Sequence, residues 1–357
     1  MTRPLVFDLP LEALQAWVSA AGEPPYRALQ IWQHLYRSLA TDPLQLSDMP
    51  RPLRLRLQQE FDFSGLEPTA ALSSADGKTE KTLYRLRDGQ AVEAVWMGYD
   101  RRRTVCISTQ AGCAMGCSFC ATGQMGFGRH LTSGEIVEQV LDSARRLRAQ
   151  ASQLTNIVVM GMGEPFHNYE ATMQALDRLN DGRGFGFGAR RMTVSTVGIV
   201  PMIERFTAEN RQINLAISLH AATNDLRDQL LPVNRRYPIE TLLHACREYV
   251  GRTHRRISFE WALIDGVNDG PQQAQALAAL LRGLTCYVNL IPLNPTDGFS
   301  GAATSSKAAR AFAAVLQAGG IPSTVRQRRG IEIRAGCGQL AAPVIHPPSA
   351  ADSEPGG

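Results

Sequence analysis

The chain of 357 residues is long enough for about two domains at the usual ~150 residues each, and its 44% hydrophobic and 20% charged residues exclude disorder as a global description. No apolar run approaches the ~18 residues of a membrane helix, and Asp8 and Glu12 break the first apolar stretch, so neither a membrane span nor a signal-peptide core is predicted and the chain reads as cytoplasmic. A net charge of +4 does not by itself point to nucleic acid, because a local patch matters more than the sum.

In chain order, residues 1–66 read as a helical accessory domain. Leu11–Ala21 is a short amphipathic segment ending at Gly22. Pro25–Leu39 carries Tyr26, Leu29, Trp32, Leu35, Tyr36 and Leu39 at helical spacing, and a third helix is predicted over Pro52–Phe61. This stretch either packs on the main body as a plain helical module or binds substrate. Over 67–98, Asp76-Gly77 and Asp88-Gly89 are hairpin-type turns that bracket strand-like runs at Lys81–Leu86 and Ala91–Met97. From 99 to 342 strands alternate with helices. Strands are predicted at Val105–Thr109, Asn156–Met160, Met192–Ser195, Ile213–Ser218, Ile257–Leu263 and Tyr287–Ile291. Helices follow near 133–149, 169–180, 199–208, 238–250, 271–282 and 304–318. Six β/α units predict an α/β fold with a parallel sheet, either doubly wound or curled into a barrel. Residues 343–357, rich in Pro, Ser, Ala and Gly, read as a disordered tail.

Seven cysteines stand at 106, 113, 117, 120, 246, 286 and 337. Without a secretion signal they do not suggest a disulfide scaffold. Cys113, Cys117 and Cys120 form C-x3-C-x2-C directly after a strand, a spacing at which thiolates hold one face of an iron–sulfur cube. A closed zinc site wants four ligands, and the nearest further candidate is His130. Three ligands leave one metal position open for a substrate. Cys246 and Cys286 read as buried small hydrophobes. Arginine runs stand at 101–103, 190–191, 235–236, 255–256 and 328–329, most of them in turns or at strand starts. They suit phosphate as a set, although solvated surface charge is the default for each.

The triplet with Phe119 before its last cysteine resembles the radical S-adenosylmethionine superfamily, in which the open iron binds the cofactor's amino and carboxyl groups and an electron from the 4Fe-4S cluster yields a 5′-deoxyadenosyl radical. The flanking sequence Gly112–Arg129, GMGEP at 161–165, STVGIVP at 195–201, SLHA at 218–221, VNLIPLNP at 288–295 and CGQL at 337–340 resembles the RNA adenine methyltransferases of the RlmN/Cfr type. His130 is a small departure, the family more often having Asn there. The resemblance implies a partial (β/α)6 barrel whose strand ends share one mouth. There Gly163, Glu164, Ser195, Ser218, Leu219, His220 and Asn294 bind S-adenosylmethionine, Gly161 and Gly163 by letting the backbone approach closely.

The resemblance further implies methylation of adenine carbon 2 in 23S ribosomal RNA, and in transfer RNA as a second substrate. Two S-adenosylmethionine molecules are used per turnover. One methylates Cys337; the radical formed from the second takes a hydrogen from that methyl, whose carbon adds to the ring. Cys106 then attacks the Cys337 sulfur, releasing the RNA and leaving a disulfide that must be reduced; an external electron donor such as flavodoxin is implied. Glu93, on the strand Ala91–Met97, is the candidate base that removes the ring proton. It shares a face with Ala91, Val95 and Met97, where an unpaired carboxylate is costly; a pairing with Arg103 is the structural alternative. Transfer to carbon 8, a radical activase acting on a protein glycine, and a zinc-bound RNA-binding protein are the competing readings.

Overall fold

The structure is a computed structural model and describes residues 3–342; the expected tail at 343–357 lies outside the described residues. Three helices open the chain: α1 (Leu11–Ala20), α2 (Tyr26–Gln33) and α3 (Arg51–Glu60). The second does not run unbroken to Leu39. It passes into a π turn at His34–Ser38 and stops where Leu39 adopts φ 61°. That extra residue in the turn leaves Trp32, Leu35 and Tyr36 all buried.

Three antiparallel strands follow, β1 (Leu66–Ser73), β2 (Thr79–Leu86) and β3 (Ala91–Gly98), then β4 (Arg103–Cys106). The strand β1 is not apparent from the sequence: seven of its eight residues are exposed, so no alternation marks it. A small hairpin, β5 (Gln110–Gly112) with β6 (Phe127–His130), frames the cysteine loop and the short helix α4 (Ala121–Gln124).

The alternating part then runs α5 (Ser133–Ala149), β7 (Asn156–Val159), α6 (Tyr169–Asn180), β8 (Met192–Thr196), α7 (Val200–Ala208), β9 (Asn214–Ser218), α8 (Asn224–Leu230), α9 (Ile239–Thr253), β10 (Ile257–Leu263), α10 (Pro271–Leu280), β11 (Cys286–Pro292), α11 (Ser306–Ala318) and β12 (Ser323–Val325). The extra helix α8 and strand β12 are too short to announce themselves by periodicity.

One sheet takes ten of the strands in the order β1-β2-β3-β4-β7-β8-β9-β10-β11-β12. A doubly wound sheet reverses its strand order at a switch point; this one never does. Every crossover therefore steps the same way, the helices collect on one face, and the sheet curls into a barrel left open between β1 and β12.

The two faces differ in chemistry. Residues paired across a ladder point to the same side, and the pairings Val105–Ile157, Val194–Leu215 and Phe259–Val288 define an apolar side. This is the helix-covered side, where Trp261 packs 5.7 Å from Phe312 of α11. The opposite side, the lumen, carries Lys81, Glu93, Cys106, Thr193, Ser195, Ser218, Glu260 and Asn289. A filled barrel core would be apolar on both sides; this lumen is built to hold a polar ligand.

Candidate functional site

Every lumen group that follows a strand sits at its carboxyl end. The cysteine loop begins after β5 and turns at Gly112 (φ 74°), where an added Cβ would stand 2.0 Å from the Gly126 carbonyl oxygen. Only glycine fits there. Cys113 donates its backbone N–H to that same carbonyl (2.7 Å) and Ser118 donates to Leu230 O (3.0 Å), so the loop is pinned from both sides.

Burial pushes the Cys113 thiol up to about 12, with further contributions from Glu164 and Cys120; it also pushes Cys117 up, and Cys120 and Cys113 add to that shift. The three thiols are thus mutual neighbours beside Glu164. Among the described residues no three Cys, His, Asp or Glu side chains converge on a single-ion site, this triplet included. A cube, whose thiolates each bind a different iron, asks for three soft donors set around the group rather than meeting at a point, and the donor set fits that demand.

Glu164 is buried, and burial pushes its carboxyl up to about 7 against the hydrogen bonds it accepts. Its Oε1 accepts from Phe166 N (2.9 Å) and its Oε2 from Val197 N (2.9 Å), which ties the loop after β7 to the loop after β8. Gly163 adopts φ 99°, and a Cβ there would stand 2.6 Å from the Cβ of Gln110. At Gly161 it would stand 2.6 Å from Ile107 O. The close approach expected of these glycines is thus made to neighbouring segments of the barrel. Gln110 is a hub that sequence reasoning missed: its Oε1 accepts from Glu164 N (2.8 Å), and its Nε2 lies 3.0 Å from the Nδ1 of both His130 and His167.

Ser195 and Ser218 bring their hydroxyls within 3.4 Å across adjacent strand ends. Leu219 is fully buried and donates its N–H to Glu260 O. His220 has φ 59°, accepts from Ala262 N at Nδ1 (2.9 Å) and packs edge-on against Phe119 at 4.9 Å. Burial, with Arg227 nearby, pulls its pKa down to about 3, so the ring is neutral and its proton sits on Nε2. His220 therefore props the cysteine loop. Asn294 donates from Nδ2 to Cys337 O (3.1 Å), while its Oδ1 is buried and unpartnered.

Arg227 was not singled out from the sequence, because nothing separates it there from a surface arginine. It is fully buried and donates to the carbonyls of Val197 (2.6 Å), Ser218 (3.2 Å) and Leu219 (3.1 Å) and to Asn234 Oδ1 (3.0 Å). One guanidinium thereby fastens two of the strand-end loops that bear the site. Glu260 was missed too: it is buried in the lumen, accepts from Asn289 Nδ2 at Oε1 (2.7 Å) and leaves Oε2 unpartnered.

The segment bearing Cys337 closes the site. Gly338 O accepts from Ala121 N (2.8 Å), Leu340 O from the Thr122 hydroxyl (2.6 Å), and Gln339 Nε2 donates to Pro295 O (3.0 Å). Cys337 thus lies over the loop that carries Cys120. The residue is exposed as a whole, yet enough protein surrounds its thiol that desolvation raises its pKa. Cys106 is buried on the lumen side of β4. Burial and then the neighbouring Cys337 thiol push it up to about 12. All seven cysteines are free thiols, and Cys246 and Cys286 are buried on α9 and β11.

Glu93 is buried on β3 next to this pair, and its ion-pair partner differs from the one expected. It shares its face of β3 with Ala91, Val95 and Met97, as the alternation predicts, and that face looks into the lumen. Its partner, however, is Lys81, whose Nζ lies 2.8 Å from Oε1, while Arg103 donates to the carbonyls of Tyr99 and Arg102. The Glu93 Oε2 accepts from Ala341 N (3.0 Å).

The arginine runs divide between the two ends of the barrel. Arg101 and Arg102 precede β4, which Arg103 opens, Arg190–Arg191 precede β8 and Arg255–Arg256 precede β10, so they lie at the strand starts, opposite the mouth. Arg235, Arg236 and Arg328 are exposed in segments after β9 and β12, on the side of the mouth.

Comparison with known proteins agrees with this geometry. Residues 107–277 match the family model of the radical SAM superfamily, and residues 6–62 match that of the ribosomal RNA large subunit methyltransferase N-terminal domain. The chain is 52% identical over 340 residues to the dual-specificity RNA methyltransferase RlmN 1 of Myxococcus xanthus, covering 95% of this chain and 94% of that one. It is 49% identical over 352 residues to a probable dual-specificity RNA methyltransferase RlmN of Chloroflexus aurantiacus, covering 96% and 93%. The crystal structure of a radical SAM methyltransferase from Sphaerobacter thermophilus superposes with a TM-score of 0.93 at 52% identity, covering 95% of this chain and all of that one.

Proposed function

Because the chain belongs to the RlmN family, RNA methyltransferases of the radical SAM superfamily that work with a 4Fe-4S cluster and S-adenosylmethionine, we propose that it methylates carbon 2 of adenine in 23S ribosomal RNA and in transfer RNA. The observation that carries this reading is the meeting of Cys106 and Cys337, far apart in sequence, in one lumen beside the cysteine triplet. Cys113, Cys117 and Cys120 would hold the cluster, and Gly163, Glu164, Ser195, Ser218, Leu219, His220 and Asn294 would frame the cofactor. Together the two groups supply, when bound, a radical able to take a hydrogen atom from a methyl group.

The chain's own residues supply the rest. Cys337 carries the methyl on its sulfur and so delivers carbon to an electron-poor ring position that cannot attack a sulfonium itself. Glu93 accepts the ring proton. Cys106 frees the product by attacking the Cys337 sulfur, which leaves a disulfide that must be reduced; an external electron donor such as flavodoxin is a further partner of the reaction. Two S-adenosylmethionine molecules are consumed per turnover, and the work is done in the cytoplasm, where the RNA is.

The test is mass spectrometry of nucleosides from ribosomal and transfer RNA with and without the gene. Loss of 2-methyladenosine from both pools is the expected result. Loss from ribosomal RNA alone would narrow the substrate, loss of 8-methyladenosine would move the reaction to carbon 8, and no change would overturn the reading.

A further inference from the structure

The ion pair between Lys81 and Glu93 is unusual in its setting. Both side chains are buried, at 10% and 5% exposure, and both point into the lumen rather than to solvent. The register explains how they meet. Val95 pairs with Lys81 on one side and with Cys106 on the other, which sets Glu93 diagonally beside both. A buried pair seldom stabilises a fold more than apolar residues of equal volume would, so its retention at the site asks for another role. The second oxygen of the same carboxylate accepts from Ala341 N at 3.0 Å, four residues beyond Cys337. One carboxylate thus joins three elements: the strand with Lys81, the strand with Cys106 beside it, and the segment with Cys337.

We propose that Lys81 is a positioning residue of the methyl transfer: through its ion pair it orients the Glu93 carboxylate toward the adenine held at Cys337 and supplies the countercharge that carboxylate needs in the lumen. The proposal rests on the reading of Glu93 as the proton acceptor. In that step the bond from carbon 2 to hydrogen breaks, its electron pair stays in the ring, and the proton goes to a Glu93 oxygen. Without the ammonium the carboxylate loses its fixed orientation. A misplacement of about 1 Å can cost on the order of 10²-fold in rate.

The experiment compares the full-length, cluster-loaded enzyme with Lys81→Met and Lys81→Arg variants. Three quantities are read: methylation of Cys337 by intact-protein mass spectrometry, RNA covalently attached to the protein, and methyladenosine formed. Lys81→Met is expected to methylate Cys337 as the wild type does, to accumulate the protein–RNA adduct, and to form product on the order of 10²-fold more slowly. Lys81→Arg, which keeps the charge, should recover part of the rate. Wild-type rate with no extra adduct in Lys81→Met would overturn the proposal. So would loss of Cys337 methylation in Lys81→Met but not in Lys81→Arg, which would make the pair a structural brace. Absence of adduct and of methyladenosine in the wild type would instead defeat the underlying reading of the reaction.

Discussion

At the scale of single residues, burial shifts two site groups in opposite directions, each toward its neutral form. His220 is held neutral and accepts a backbone N–H, so it serves as a prop rather than a proton carrier. Glu164 titrates near neutrality, at about 7, because desolvation outweighs the two N–H donors on its oxygens. In the proposed site it accepts from the amino group of S-adenosylmethionine, and its ionised form is the stronger acceptor. Affinity for the cofactor should therefore weaken as pH falls through about 7. Calorimetric titration at pH 6 and pH 8 checks this, and Glu164→Gln should bind more weakly at pH 8 with the difference between the two pH values reduced.

At the scale of elements, α5 shows how the parts are joined. Its N-terminus carries a capping box between Thr132 and Glu135, and Asp8 of the N-terminal segment accepts from Gly134 N at 2.7 Å. Farther along, Glu138 is buried and accepts from Gly65 N at 2.7 Å, and burial pushes its carboxyl up to about 8. The folded state therefore binds a proton that the unfolded chain releases between its ordinary carboxylate value and about 8. Stability falls as pH rises across that window. Glu138→Gln keeps an acceptor for Gly65 without the ionisation, so its thermal unfolding should change less between pH 5 and pH 8 than that of the wild type. An unchanged pH slope in the variant would remove Glu138 as the cause.

At the scale of the whole molecule, the N-terminal module is part of the fold and not a tethered appendage. One contiguous core runs from Leu5 through Trp32 and Tyr36 to the barrel helices. Arg178 of α6 donates to the carbonyls of Phe7 and Asp8 (3.0 and 2.7 Å), and Arg37 donates to those of Gly182 and Gly184 (2.7 and 3.1 Å). The split of arginines between the two barrel ends gives a directional prediction for RNA. Replacing Arg235 and Arg236 with Ala should weaken RNA binding across sequences and lower the salt slope by about 1 for each phosphate no longer neutralised. The same change at Arg190 and Arg191 should leave both nearly unaffected. Filter binding over a salt series compares the two.

Much of this molecule is legible from its sequence because the signals are local. The helices at 133–149 and 169–180 coincide with α5 and α6 to the residue, since each carries an unbroken apolar stripe. The cysteine triplet announces itself by spacing alone. What the sequence determined is therefore the alternation of strand and helix and the thiol chemistry gathered on one loop. The tertiary structure alone decided which distant residues meet: Lys81 with Glu93, Arg227 with three carbonyls, Gln110 with Glu164 and two histidines, Cys337 with Cys106. A buried polar group depends on its partner for its stability, and a partner from another strand end leaves no mark in the neighbouring sequence.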